Sequence, residues 1–440
     1  MVKMIKDNGN SNGKKIKFLF VSNEALAIDL AWQIKKEGHD VKMNILSKDD
    51  NDVGDGFIEK SDDWKKDADW ADIVIFDDCL GFGTEADKLR KKGKLVVGGT
   101  ANTDRLEDDR EFGQEMMEKA GMNILPHWDF DNFDEAIKFV EKNSGRYVLK
   151  PSGKAANEKE LLFVGQEDDG KDVLQVLQHY KKNWASKIKK FQLQKHAAGV
   201  EVACGAFFNG KDFITPVCVN FEHKRLFPGD IGALTGEMGT SAYFCQPNTF
   251  YKTTLEKMKP FLAQEGYVGY FDINCIVNAR GIYPLEMTCR FGVPTISLQM
   301  EGITSKMSDL LIAMAKGESF DLQVKKGYQI CVVIAVPPFP FNDPDTFRKF
   351  SEGATILFKK PNFEGIHLGD TKMVEEDWVV AGSVGYVLVI TGSGPTMSEA
   401  RKQAYNRVRN IMIPNLFYRD DIGERWLKDS DLLQTWGYLY

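Results

Sequence analysis

The sequence predicts an α/β and α+β protein in three parts: a small parallel α/β domain, a large α+β centre and a β-rich C-terminal part. Three observations carry this. Apolar strand-like runs alternate with helical patterns between residues 16 and 99. Strand-like runs then follow one another closely from 191 to 220, and a hairpin signature spans 270–290. Alternation with helices is the mark of parallel βαβ units, and closely spaced strands point to antiparallel pairing.

Taken in order, residues 1–15 are polar and read as a disordered lead-in. IKFLFV (16–21) is the first strand, SNEALAIDLAWQIKKEG has helical periodicity, and HDVKMNIL, ADIVIF and KLVVGG repeat the strand pattern. The first strand runs into SNEAL and not a GxGxxG turn, which removes a dinucleotide fingerprint. Thr103 to Gly121 reads as one helix. RYVLK, LLFVG, FQLQKH, EVACGAFFNG and FITPVCVN are strands, and 222–239 is a long loop dense in glycine and charge. The hairpin turns at Asn278-Ala279-Arg280-Gly281, and YQICVVIAVP opens a β-rich tail with one amphipathic helix, SEARKQAYNRVRNIM. The expected domains are 16–105, 106–325 with a small lid at about 146–205, and 326–440.

Composition narrows the function. The net charge of −7 disfavours general nucleic-acid binding, which needs a basic face. No apolar run approaches the roughly 20 residues of a bilayer span, and no signal-peptide core follows the start, so a cytoplasmic location is expected. The seven cysteines are odd in number, lack a CxxC pair and lie mostly in strand-like runs, as buried reduced thiols do.

The hairpin offers the clearest chemistry. Asp272 and Asn274 share one strand face by the two-residue period, as do Glu286, Thr288 and Arg290 on the return. Oxygen ligands on two facing strands suit Mg²⁺, and an arginine beside them suits a carboxylate or acyl phosphate. A solvated sheet face would give the same spacing. Lys150, at a strand end before the loop PSGKAANEK, fits a phosphate, although a surface lysine before a turn is the plainer reading. Glu201, after Ala-Ala-Gly, could accept from ribose hydroxyls, although taken alone it is an unremarkable strand-end acid.

In this order the pieces resemble the glycinamide ribonucleotide synthetase (phosphoribosylamine–glycine ligase) family of ATP-grasp enzymes. YVLKPSGKAAN (147–157) is similar to that family's IKADGLAAG, and LQKHAAGVE (193–201) takes the place of its adenine-contacting hinge. EHKR (222–225) and TGEMG (235–239) resemble DHKR and TGGMG. LEMTCRFGVP (285–294) resembles IEFNCRFGDP, and YRDDIG (418–423) resembles YRxDIG.

The resemblance implies an ATP-grasp fold, ATP with Mg²⁺ or Mn²⁺, and an ADP-forming ligase that joins an acid to an amine through an acyl phosphate. Phosphoribosylamine and glycine are the implied pair; a different amine and amino acid, or a non-catalytic nucleotide-binding protein, are the alternatives. It puts Lys150, Gln194, Lys195, His196 and Glu201 on the nucleotide. Glu286, Thr288, Asn274 and Asp272 would hold the metal, and Arg290, Lys224 and Arg225 would serve catalysis. Asp230, Thr235, Ser22, Asn23 and Glu24 would meet the substrates. Small-molecule partners, no nucleic acid, no membrane, and a monomer or homodimer are implied. Departures from the family pattern fall at Asn157, Glu237, Thr288, Val293 and the SNEA turn. Glu24 and Glu237, as added negative charges, point toward a less anionic amine.

Overall fold

The computed structural model describes residues 15–152, 155 and 161–439. The lead-in at 1–14 and the loop position Asn157 lie outside the described residues.

Five parallel strands form the first sheet: β1 (Lys17–Ser22), β2 (Asp40–Ile45), β3 (Glu59–Lys60), β4 (Ile73–Phe76) and β5 (Leu95–Val97), in the order β3-β2-β1-β4-β5. The strand order reverses between β1 and β4. In open α/β sheets, the crevice beyond the carboxyl ends of such strands is where ligands bind. β3 has two residues and no apolar run, so alternation does not reveal it.

The helix expected over 103–121 is two helices, Ala101–Asp108 and Arg110–Lys119. Asp109 leaves helical geometry, and its carboxylate caps the second helix by accepting from the Phe112 amide at 3.2 Å. The side chain that ends one helix therefore starts the next.

A four-stranded antiparallel sheet makes the lid: β6 (His127–Phe130), β7 (Tyr147–Pro151), β8 (Phe163–Val164) and β9 (Phe191–Lys195), in the order β6-β9-β7-β8. The central strands are β10 (Val200–Asn209), β11 (Phe213–Glu222), β14 (Gly239–Cys245), β15 (Val268–Asn278), β16 (Gly281–Thr288) and β17 (Tyr328–Ala335). Between β11 and β14 the expected loop folds into a small hairpin, β12 (Arg225–Phe227) and β13 (Ile231–Leu234). The order β16-β15-β10-β11-β14-β17 continues through strand Tyr386–Gly394 to strand Ile366–Leu368, giving eight antiparallel strands. The boundary expected at 325–326 thus falls between strands of one sheet.

Apolar side chains on both faces of this sheet are buried, Phe208 and Phe271 on one and Phe207 and Tyr270 on the other. Polar contacts fix the N-terminal sheet against the C-terminal part. Asp29 accepts from the Leu368 amide at 3.0 Å and faces His367 Nδ1 at 2.7 Å, and Lys372 pairs with Asp52 at 2.8 Å. All seven cysteines are free, and six are buried. Among the described residues no helix is long and apolar enough to cross a membrane.

Candidate active site

The register of the hairpin decides which side chains meet. Asn274 stands opposite Glu286 and Asp272 opposite Thr288, with a bulge after Asn274. The four expected metal-side residues therefore do share one face. The bulge matters because a one-residue slip would turn Glu286 to the other face.

Lys224, just past the end of β11, reaches over this face. Its Nζ lies 3.0 Å from Glu201 Oε1, 3.2 Å from Glu222 Oε2 and 3.0 Å from Glu286 Oε1. Burial works against the ammonium, but Glu201, Glu286 and Glu222 outweigh it and hold Lys224 well above the usual lysine range. Asn274 Nδ2 donates to Glu201 at 2.9 Å and to Glu222 at 3.2 Å. Its Oδ1 is buried and has no hydrogen-bond partner. An orphaned amide oxygen beside carboxylates fits a hard divalent cation. Glu286 and Asn274 Oδ1 are the donors that fit best.

Asp272 fits less well. It is buried, accepts from Asn220 Nδ2 at 3.0 Å and from Tyr270 OH at 3.2 Å, and burial next to Glu222 pushes its carboxyl up to about 7. Both bonds fall on one oxygen, Oδ2, which is thereby spent on neighbours of the same sheet face. Among the described residues no group of three or more His, Cys, Asp or Glu is arranged to hold a metal, so any site here must recruit amide oxygen, water or phosphate.

Lys150, the penultimate residue of β7, is buried, and burial with the nearby Arg110 lowers its ammonium to about 7. Glu286, Lys224 and Glu201 are its other charged neighbours. Arg110 Nε is buried without a partner. Two cations that repel each other beside a carboxylate face make a site that a polyphosphate would relieve. In the hinge, the Lys195 amide donates to Pro126 O at 2.8 Å and the His196 amide to Arg146 O at 3.0 Å. Both amides are spent within the protein; buried Gln194 Nε2 beside them has no partner.

Arg290 departs from its expected place. β16 ends at Thr288, so the two-residue period does not carry Arg290 onto the Glu286 face. Glu107 takes it instead: Arg290 Nε donates to Glu107 Oε1 at 3.0 Å and the Cys289 amide to Oε2 at 3.0 Å. Asp78 Oδ1 lies 3.5 Å from Arg290 Nε. Arg290 thus faces the switch-point crevice at the ends of β1 and β4.

That crevice is rich in carboxylates. Burial, with Asp50 and Asp78, raises Glu24, and burial with Asp78 pushes Asp77 up to about 7. Two amides of the turn that enters the following helix, Ile28–Lys36, are already used. Leu26 N donates to Ser22 Oγ at 3.2 Å and Ala27 N to Asp77 Oδ2 at 2.9 Å. Asn23 Nδ2 donates to Glu24 at 3.2 Å.

The remaining expected residues serve the loop itself. Arg225 Nη1 donates to Gly232 O at 2.8 Å, and Thr235 Oγ1 to Lys224 O at 2.9 Å. Asp230 Oδ1 accepts from Arg419 at 2.9 Å. Glu237 is buried, and burial beside Glu222 holds its carboxyl well above the usual range, which favours its uncharged form. Sequence reasoning named Glu222 only as part of the EHKR motif, without a role of its own, and missed Glu107, Asp78 and Arg110.

A small antiparallel sheet carrying Lys150, whose charge meets those of Glu201, Lys224 and Glu286 at the large antiparallel sheet, fits an ATP-grasp fold, the fold of ATP-dependent ligases. The family model for the phosphoribosylglycinamide synthetase ATP-grasp (A) domain matches residues 108–296, and that for its C domain matches 329–425. The chain belongs to the phosphoribosylglycinamide synthetase family of carbon–nitrogen ligases. A phosphoribosylamine–glycine ligase of Listeria monocytogenes is 26% identical over 373 residues, 82% of this chain and 86% of the relative. One of Caulobacter vibrioides is 28% identical over 372 residues, 81% and 84% of the two chains. The crystal structure of phosphoribosylamine–glycine ligase from Thermotoga maritima matches with a TM-score of 0.70 at 20% identity, covering 92% of this chain and all of that one. A biotin carboxylase domain from Hydrogenobacter thermophilus, solved with MgADP, has a TM-score of 0.62 at 14% identity, covering 97% and 96%. At these identities the two structures speak for the fold.

Proposed function

We propose that the chain ligates glycine to phosphoribosylamine, forming glycinamide ribonucleotide with cleavage of ATP to ADP and phosphate, as a purine-biosynthetic enzyme of the cytoplasm. The observation that carries this is the convergence of Lys150, Arg110 and Lys224 on the Glu286 face. The carboxylate oxygen of the acid attacks the γ-phosphorus and ADP leaves; the amine nitrogen then attacks the acyl carbon, phosphate departs, and the nitrogen loses a proton. Lys150 and Arg110 would hold the phosphates, with Gln194, Lys195 and His196 along the base and Glu201 toward the ribose. Mg²⁺ or Mn²⁺ at Glu286 and Asn274 would neutralise charge on the phosphates. Arg290 would orient the acid from the crevice side. Purified protein given ATP, glycine and phosphoribosylamine should release ADP; AMP and pyrophosphate as products would overturn the acyl-phosphate route.

A second reading keeps the ligase and changes the amine. It is favoured by the crevice, where Ser22 and Asp77 occupy the Leu26 and Ala27 amides of the turn that enters the first helix, among carboxylates balanced chiefly by Arg290. A specificity constant of about 10⁴ M⁻¹s⁻¹ or more for phosphoribosylamine would rule it out. Turnover only with an unphosphorylated amine would establish it.

A further inference from the structure

Arg419 is 1% exposed and heads the fully buried side chains by volume. It stands in the YRDDIG segment, far along the chain from the residues discussed above, and its fork is fully engaged. Nε donates to Asp421 Oδ1 at 2.8 Å and Nη2 to Asp421 Oδ2 at 2.7 Å. Nη1 donates to the Arg225 carbonyl at 2.9 Å and to Asp230 Oδ1 at 2.9 Å, and Nη2 faces His223 Nδ1 at 3.3 Å. Burial, then Arg425 and Arg419, lower His223 to about 3, so its imidazole is neutral.

The neighbours of Arg419 grip the same stretch. The Gly229 amide donates to Asp421 Oδ2 at 2.9 Å, and the Gly423 amide faces His223 Nε2 at 3.3 Å. Arg425 Nη2 donates to the Glu222 carbonyl at 2.7 Å. These contacts bracket one residue, Lys224. Glu222 and Lys224 turn into the carboxylate cluster, while His223 between them turns to the C-terminal segment. The tip of the hairpin needs this support. Asp230 has a φ of +56°, a left-handed conformation that an aspartate adopts at some cost, and Phe227 and Ile231 beside it are 47% and 63% exposed, so no apolar core holds it.

We propose that Arg419 is a positioning residue of the ligase. It locks the 225–234 hairpin to the C-terminal segment and thereby holds Lys224 over Glu201, Glu222 and Glu286. Its hydrogen bonds among the described residues go to Asp421, Arg225 and Asp230, with the His223 ring beside it, so it acts through Lys224 and not on substrate. A planar fork with five donors serves these acceptors at once; a lysine ammonium is one point of charge and cannot. The inference rests on the ligase reading, because Lys224 matters only if the cluster works on Mg-ATP.

The test compares Arg419→Lys, Asp230→Asn and the control Arg407→Lys, which alters a buried ion pair with Glu301 away from the hairpin. Steady-state kinetics are paired with amide hydrogen exchange over 222–239. Arg419→Lys and Asp230→Asn should lower kcat by about tenfold to a hundredfold, the cost of misplacing a catalytic group. KM for ATP should stay within a few-fold of the unaltered protein, and exchange at Thr235 and Met238, whose amides bond Lys224 O and His223 O, should rise. Arg407→Lys should leave kcat and this exchange unchanged. If Arg419→Lys does not fold, Asp230→Asn decides alone. Unchanged kcat and exchange in the folded variants would overturn the proposal. An unaltered protein that turns over no acid–amine pair would refute the ligase reading, and unchanged exchange would still count separately against Arg419.

Discussion

Lys224 Nζ stands 3.0 Å from an oxygen of Glu286 and 3.0 Å from one of Glu201, so one ammonium joins β10, the end of β11 and β16. Three carboxylates converging on a single cation leave net negative charge there. A divalent cation and a polyphosphate, arriving together, would be received by matched charges on both sides.

The first prediction concerns Glu286. Glu286→Gln should raise the Mg²⁺ concentration for half-maximal ADP release by tenfold or more with the fold intact, since an amide replaces an anionic ligand. Asn274→Leu should follow the same direction, and Thr288→Ala should be milder, because Asn274 Oδ1 and not Thr288 is the orphaned oxygen. A titration in Mg²⁺ unchanged by Glu286→Gln would move the metal elsewhere.

Lys150 links nucleotide binding to protons. With its ammonium lowered to about 7, it is largely neutral in the free protein above that pH, and a bound triphosphate favours its charged form. ATP binding at pH 8 should therefore take up close to one proton, and affinity should weaken as pH rises through 7. Calorimetry in two buffers of different ionisation enthalpy measures this uptake. It should vanish in Lys150→Ala; uptake of the same size in that variant would show that another group titrates.

Glu301 should govern acid stability. Burial alone would raise its carboxyl, but Lys325, Ser393 and Arg407 outweigh burial and hold it at about 2. Its folded value lies below the unfolded one, so its contribution is present above about pH 4.5 and is lost as pH falls toward 2. The shift corresponds to about 3 kcal/mol. Denaturant unfolding at pH 7 and pH 3 should show a smaller pH dependence in Glu301→Gln than in the unaltered protein; an identical dependence would exclude Glu301 as the source.

Gly205 tests the packing behind the site. A Cβ there would lie 1.9 Å from Tyr270 OH and 2.5 Å from Asp272 Oδ2. Gly205→Ala should cost about 1–3 kcal/mol and disturb the Asp272 hydrogen bonds beneath the hairpin. Unaltered unfolding midpoints would mean that β10 and β15 shift apart freely.

The sequence alone determined the elements that follow from local periodicity. Four of the five strands of the first sheet, the 270–290 hairpin and its turn were legible because side-chain patterning and turn chemistry are short-range properties. The shared face of Asp272, Asn274, Glu286 and Thr288 was legible for the same reason. Tertiary structure decided what those side chains meet. Asp272 looks like Asn274 in sequence, yet Tyr270 and Asn220 both bind its Oδ2 while Asn274 Oδ1 has no hydrogen-bond partner. Arg290 continues the strand pattern on paper, but β16 stops at Thr288 and Glu107, 183 residues away, redirects it. Glu237 counts as a charge in the sequence, while in the fold burial beside Glu222 favours its acid form. Arg419 lies 194 residues beyond the Arg225 carbonyl it holds. Charge state and pairing depend on desolvation and on partners distant in sequence, and neither is a property of any local stretch of chain.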